Sequence, residues 1–254
     1  MTVLLFKLFT TPTLIVIATL VSRRFGQATG GWLVGLPLTS GPIAIFLAID
    51  HGPRFAQLAA AGSLEGTVAQ AFFATTYARL ARDRHWPICL LGASAAFLAS
   101  GLLLGALGLP TLVLVAIACA ALAGGLRLIG VPATDVASTE VPGWDLPVRI
   151  VVATGLVLLI TSIAAVIGPD LSGLAATFPL FAIVLAVFAH RHHGAAAAQG
   201  VLRGLLLGLF GFTGFFAAVA ALVTRTALAS AFAAALVVNL VIHAGAFWAL
   251  RRTA

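Results

Sequence analysis

Charge is what this sequence has least of. Only 8% of its 254 residues are Asp, Glu, Lys or Arg, 61% are hydrophobic, and the mean hydropathy is +1.15. Soluble globular domains carry about 25% charged residues, so water is excluded as the main solvent. Cysteine is scarce too. Cys89 and Cys119 stand far apart in sequence, each inside an apolar run, which rules out a disulfide framework and a CxxC metal motif. There is no Walker phosphate loop, no HExxH and no pair of aspartates in facing apolar runs, which sets aside ATP hydrolysis and the common metalloprotease and aspartyl chemistries. Thr39-Ser40-Gly41-Pro42 approaches the Gly-x-Ser-Gly of intramembrane serine proteases, but Leu38 stands where the first glycine belongs. With no nucleophile beside a base, the chain is not expected to be an enzyme, and nothing in it calls for a cofactor.

The 14 basic residues outnumber the 7 acidic ones, giving a net charge of +7 and a pI near 11.3. They stand singly or in pairs at the ends of apolar runs, with no aromatic-interleaved basic surface, so no nucleic-acid partner is expected. The run His190-Arg191-His192-His193 is short and has no Cys or acid beside it in sequence, so no metal site is expected either.

What is present is apolar sequence long enough to cross a bilayer repeatedly, at about 20 residues per helical span. The runs and their breaks predict an all-α polytopic bundle of about nine spans. They cover residues 3–22, 31–49, 55–79, 86–108, 110–128, 147–168, 171–189, 201–223 and 228–250. The first run carries Lys7 early and has no small-residue cleavage site before Arg23, so it is expected to be a span rather than a cleaved leader. Nine spans put Arg23, Arg24, Arg79, Arg82, Arg84, Arg127, Arg149, Arg191, Arg203, Arg251 and Arg252 on one side, and Lys7, Arg54 and Arg225 on the other. Positive-inside asymmetry makes the first side cytoplasmic, with the N-terminus outside and the C-terminus inside a bacterial inner membrane. Merging or dropping a span scrambles this division.

Sliding the chain along itself until Pro37 meets Pro179 aligns Pro37–Phe73 with Pro179–Phe215 without a gap, and about a third of the aligned positions are identical. Biased composition explains the Ala and Leu matches. It does not explain Pro37/Pro179, His51/His193, Gly52/Gly194, Gln57/Gln199, Gly62/Gly204 or Gly66/Gly208. The same offset pairs Lys7 with Arg149. The expected organisation is therefore a four-span repeat over 1–108, a linking span and cytoplasmic loop over 109–144, and a second four-span repeat over 145–254. Equivalent helices are five spans apart, an odd number, so the halves face opposite ways across the membrane. Secondary transporters share this plan, with their sites near midplane at the repeat interface.

The stretch Ser172-Gly173-Leu174-Ala175-Ala176-Thr177-Phe178-Pro179-Leu180-Phe181-Ala182-Ile183, followed one span later by Gly208-Leu209-Phe210-Gly211-Phe212, resembles the GlpM family of small four-span bacterial membrane proteins. The likeness covers roughly residues 149–250, with a weaker echo in 7–108. It implies a link with exopolysaccharide (alginate) production and carries no catalytic residues. The four-plus-four plan is also similar to the small multidrug resistance and drug/metabolite transporters. Their small members use a Glu in the first span, where this chain offers Lys7 and no acid, so cation-drug antiport is not implied.

Glu65 falls about ten residues into the third run, ~15 Å deep at the helical rise. A carboxyl at that depth costs roughly 2.5–3.5 kcal/mol or more and marks a candidate coupling or substrate-binding group, or else a neutral Glu hydrogen-bonded to Gln70 or a backbone carbonyl; Gln70 is itself a candidate substrate ligand. The second run reads Gly35-Leu36-Pro37-Leu38-Thr39-Ser40-Gly41-Pro42, which a regular helix does not survive. Thr39, Ser40 and, from the other half, Thr177 are candidate substrate ligands there. Lys7 and Arg149 are candidate charge gates, or else side chains that reach the lipid interface. Asn239 and His243, four apart on one face of the last run, are expected to hydrogen-bond across helices. The expected function is a secondary transporter of a small solute or lipid-linked intermediate, driven by protons, acting as monomer or homodimer in the lipid bilayer. The alternative is a scaffold or assembly factor for envelope polysaccharide production.

Overall fold

The computed structural model describes residues 2–131, 142–164 and 177–253. Among these there are ten helices and no strand: α1 (Thr2–Phe25), α2 (Gln27–Val34), α3 (Ser40–His51), α4 (Pro53–Leu80), α5 (Trp86–Leu107), α6 (Thr111–Ile129), α7 (Asp145–Ala164), α8 (Leu180–His193), α9 (Ala195–Leu222) and α10 (Leu228–Thr253). The side chain of Lys7, the loop 132–141 and residues 165–176, which hold Ser172–Ala176 of the GlpM-like stretch, lie outside the described residues.

Five of these helices contain stretches long and apolar enough to cross a membrane: Leu8–Phe25, Trp86–Leu107, Thr111–Ile129, Ala195–Leu222 and Leu228–Trp248. The protein is thus a helical bundle of membrane type, in which each helix satisfies its own backbone groups away from water. Its outer faces are apolar: Leu91, Leu103, Leu112, Val151 and Val241 are all exposed. In a bilayer those faces meet acyl chains.

Glycine and proline set the boundaries. Gly108 is left-handed at φ +55°, a conformation that favours glycine, and with Pro110 it separates α5 from α6 by a short turn. The second apolar run is divided, as its two prolines require. Helix α2 stops at Val34, α3 starts at Ser40, and residues between them leave the helical ladder.

The two 28-residue helices, α4 and α9, form the centre. Helix α4 packs on α3, α5, α6 and α9, and α9 packs on α2, α4, α6, α8 and α10. Gln57, near the start of α4, donates from Nε2 to the Ala220 carbonyl near the end of α9 at 2.8 Å, while Gln199, near the start of α9, donates to Ala78 near the end of α4 at 3.0 Å. The central pair is therefore antiparallel. Close approach depends on absent side chains: a Cβ on Gly66 would collide with Thr177, one on Gly35 with the Gly208 backbone, and one on Gly31 with the Val201 carbonyl.

Basic side chains gather at one end of the bundle. Arg82 donates to the Leu128 and Ile129 carbonyls, and Arg203 to those of Leu126 and Gly130, so the ends of α4 and α6 and the start of α9 share that end. Arg23, Asp145 and His192 bring the end of α1, the start of α7 and the end of α8 into contact as well.

Candidate functional site

The site is built by two interrupted stretches. In the first, Leu38 N–H donates to Leu36 O at 2.8 Å and Gly41 N–H to Pro37 O at 2.9 Å, after which α3 runs on. In the second, Leu180 N–H donates to Phe178 O at 2.8 Å and Ile183 N–H to Pro179 O at 2.9 Å, after which α8 runs on. Each residue of the second set is the counterpart of one in the first at the offset that carries Pro37 onto Pro179. A proline has no N–H and disrupts the turn before it, so each chain turns on local bonds and then restarts as helix.

Between the two restarts lies a cavity of about 210 Å³. Its polar lining comprises Thr39 and Ser40 at the start of α3, Ser63 and Gln70 of α4, Thr177 ahead of α8, and Thr11 of α1. Its apolar lining includes Phe178, Phe181, Leu205, Leu209 and Phe212, with Val157 and Ile160 from α7. Ser63 to Gln70 and Leu205 to Phe212 occupy the middle turns of the two central helices. Pockets for drug-sized ligands start at ~300 Å³, so this one has room for a smaller guest. Among the described residues no acid or base lines it; hydroxyls, one carboxamide and backbone do.

Four residues singled out from sequence, Thr39, Ser40, Gln70 and Thr177, therefore meet at one cavity. Gln70 Nε2 donates to the Thr177 carbonyl at 3.0 Å and so ties α4 to the second interrupted stretch. Glu65 is set apart from them. Ser63 and Gln70, two turns apart, share the cavity face of α4, and Glu65 lies two positions from Ser63, about 200° around the helix. Its carboxylate faces α5, where a Cβ added to Gly105 would sit 3.9 Å from Oε2.

Arg149 does not reach toward lipid. It is 5% exposed, its Nε donates to Asp145 Oδ2 at 2.8 Å, and its guanidinium lies 4.6 Å above the Phe188 ring. Asp145, fully buried, also accepts from Arg23 Nη2 at 2.8 Å and has His192 Nε2 at 3.2 Å from Oδ1. Sequence reasoning missed this acid, although its i,i+4 spacing to Arg149 was a usable signal. One carboxylate thus joins α1, α7 and α8, three helices that each contribute to the cavity wall. His193, beyond the apolar part of α8, is held below the usual imidazole range by partial burial and then by the charges of His192 and Arg149.

Asn239 and His243 of α10 are 1% and 2% exposed. Of the expected contacts across helices, the His243 ring is set against the Trp32 backbone carbonyl of α2, while Asn239 Oδ1 and Trp32 Nε1 have no hydrogen-bond partner. The His243 ring lies 5.0 Å from that of Trp32, and a Cβ on Gly211 would strike His243 Nδ1 and come within 2.9 Å of Asn239 Oδ1. Among the described residues no group of three or more His, Cys, Asp or Glu side chains could hold a metal ion.

Compared with known protein families, with characterised proteins and with solved structures, the chain matches none.

Proposed function

We propose that this protein is a multi-pass secondary transporter of a small solute, the polar headgroup of a lipid-linked intermediate included. It works by alternating access between two inverted halves, 1–108 and 145–254, within about nine spans of a bacterial inner membrane. The N-terminus lies outside and the C-terminus in the cytoplasm, on the side of the arginine-rich end. The observation that carries this reading is the cavity between two interrupted stretches whose local hydrogen bonds correspond at the repeat offset. The reciprocal Gln57–Ala220 and Gln199–Ala78 bonds support it, because they relate the same two segments antiparallel.

Interrupted helices at membrane depth leave backbone groups for a solute to bind. The first turns of α3 and α8 both open on the cavity, so their N–H groups favour a guest that accepts hydrogen bonds. Thr39, Ser40, Thr177 and Gln70 supply the side-chain contacts. Lys7 and Arg149 are equivalent cations at opposite ends of the two halves. Arg149, paired with Asp145, acts as part of a latch on its side. Protons are the proposed driving force, with Glu65 a carboxyl at membrane depth on the α4–α5 seam. Both halves belong to one chain, so a monomer suffices and no antiparallel dimer is required.

The test is a cysteine at Thr39 in a chain lacking Cys89 and Cys119, treated with a membrane-impermeant thiol reagent from each side in turn. Labelling from both sides is expected of an alternating cavity. No labelling from either side would mean a sealed midplane and would leave the GlpM-like scaffold for polysaccharide production as the better reading.

A further inference from the structure

We propose that Trp32, Asn239 and His243 form a buried proton-binding site, and that His243 carries the proton of the transport cycle. The inference rests on the transporter reading above and adds its coupling group.

Buried polar side chains are nearly always hydrogen-bonded, and unmet ones call for an explanation such as a catalytic role or a bound water or ion. Here unmet atoms fall in one cluster: Trp32 Nε1, Asn239 Oδ1 and the imidazole of His243, whose one polar neighbour in bonding reach is the Trp32 backbone carbonyl. Packing does not require them. At the corresponding places in the first half, one repeat offset earlier, Phe97 stands for Asn239, Gly101 for His243 and Ala69 for Gly211. Phe97 is fully buried and packs edge-on against Phe178 at 5.2 Å. An apolar seam thus fills the equivalent space, and only the second half has an imidazole there.

The groups around the ring suit its protonated state. Asn239 Oδ1 and the Trp32 backbone carbonyl are acceptors near it, and the Trp32 ring lies 5.0 Å away. Neutral imidazole needs one acceptor and one donor, whereas imidazolium needs two acceptors. In the proposed step, hydronium gives its proton to the bare ring nitrogen, whose lone pair forms the new N–H bond. Water is released and no bond within the protein breaks.

Charge neighbours are few. Helix α2 has no titratable side chain, and the one charged residue of α9, Arg203, is turned to the Leu126 and Gly130 carbonyls. On α10 itself the charges are Arg251 and Arg252, two turns or more beyond His243, with side chains outside the described residues. A proton on His243 therefore has no counter-ion in the described structure, so its uptake favours a state in which water enters the seam between α2 and α10. That seam leads to the site: α2 runs directly into residues 34–39, of which Val34, Leu36 and Thr39 line the cavity. Protonation and movement of the cavity wall are linked through one short helix.

The experiment follows labelling of Thr39→Cys, in the full chain lacking Cys89 and Cys119 and reconstituted in vesicles, from about pH 4 to about pH 8, a range that takes in a buried imidazole as well as a free one. Rates are taken relative to a free thiol. The expected result is a labelling rate that changes several-fold across a pH midpoint, a midpoint lost in His243→Gln and kept in Glu65→Gln. Asn239→Leu removes one acceptor and is expected to move the midpoint to lower pH; it serves if His243→Gln does not fold. A profile unchanged by both the His243 and Asn239 variants, or lost in Glu65→Gln, overturns the inference. So does a pH-independent rate, while leaving the transporter reading intact. Absence of labelling at every pH from both sides would instead overturn the transporter reading on which it rests.

Discussion

Gln57 Nε2 meets the Ala220 carbonyl at 2.8 Å, and shifting both partners by the repeat offset, each toward the other half, gives the second bond of the central pair, Gln199 to Ala78 at 3.0 Å. One identity in the self-alignment is thereby explained physically. Each glutamine reaches a carbonyl near the end of the neighbouring helix, and in an apolar bundle it has few other partners. Hydrogen bonds between helices in membranes contribute about 0.6 kcal/mol on average and up to about 1.7. Gln57→Leu and Gln199→Leu are therefore expected to lower stability by similar amounts, about 1 kcal/mol each by that scale. Unfolding by SDS titration measures both. One silent and one costly variant would show that the two bonds are not equivalent.

Two glycines one turn apart in α4 separate packing from propensity. A Cβ on Gly66 would lie 2.5 Å from Thr177 atoms, while one on Gly62 meets nothing within 4 Å. Gly66→Ala forces α4 and the chain ahead of α8 apart and is expected to cost about 1–3 kcal/mol, as overpacking does. Gly62→Ala keeps the packing and gains helix propensity, a change between neutral and about 1 kcal/mol of stabilisation. Thermal unfolding of the pair in detergent checks the order; equal losses would mean that Gly66 and Thr177 are not packed as described.

The Asp145 cluster predicts unequal costs for its members. Arg149 is almost wholly buried, whereas the Arg23 side chain is 37% exposed and can return to water when its partner is lost. Asp145→Asn leaves Arg149 buried without a carboxylate and is expected to cost about 3–5 kcal/mol, the range for breaking a buried pair. Arg23→Ala removes a partly solvated partner and is expected to cost about 1 kcal/mol or less. Because Asp145 also joins three helices of the cavity wall, Asp145→Asn is expected to raise labelling of a cysteine at Thr39 from the arginine-rich side. A stability loss with unchanged labelling would make the cluster a tether and not a latch.

Much of this architecture was legible in the sequence where proline, glycine and the repeat speak locally. The interruption after Val34, the turn at Gly108 to Pro110 and the corners at Gly52 and Gly194 all follow from backbone chemistry that those residues impose. Thr39, Ser40, Gln70 and Thr177 could be picked out because they lie in that chemistry or along the helix packed on it. The direction of Glu65 was not legible. Depth follows from counting along a helix, but the side facing a partner depends on which residues seat that helix, and here Gly66 against Thr177 turns Glu65 toward α5. Asp145 escaped for a related reason: its partners Arg23 and His192 are remote in sequence, and only the packing of α1 and α8 on α7 brings them together.

The placement of Glu65 and Ser63 on opposite faces of α4 yields the last prediction. Ser63 lines the cavity, so Ser63→Phe places an aromatic ring in a space of about 210 Å³ and is expected to cut labelling of a cysteine at Thr39 from both sides at least tenfold. The cavity wall is largely apolar, so the filled variant should retain folding, and a melting temperature unchanged or raised is the control. Glu65→Leu removes a carboxyl that does not line the cavity and is expected to leave that labelling within about twofold. Measured together in one cysteine background, the two variants show whether access to Thr39 runs through the cavity or along the α4–α5 seam. If Glu65→Leu instead abolished access at Thr39 while Ser63→Phe did not, the path to the site would run along the α4–α5 seam, and the cavity between α3 and α8 would be a packing defect.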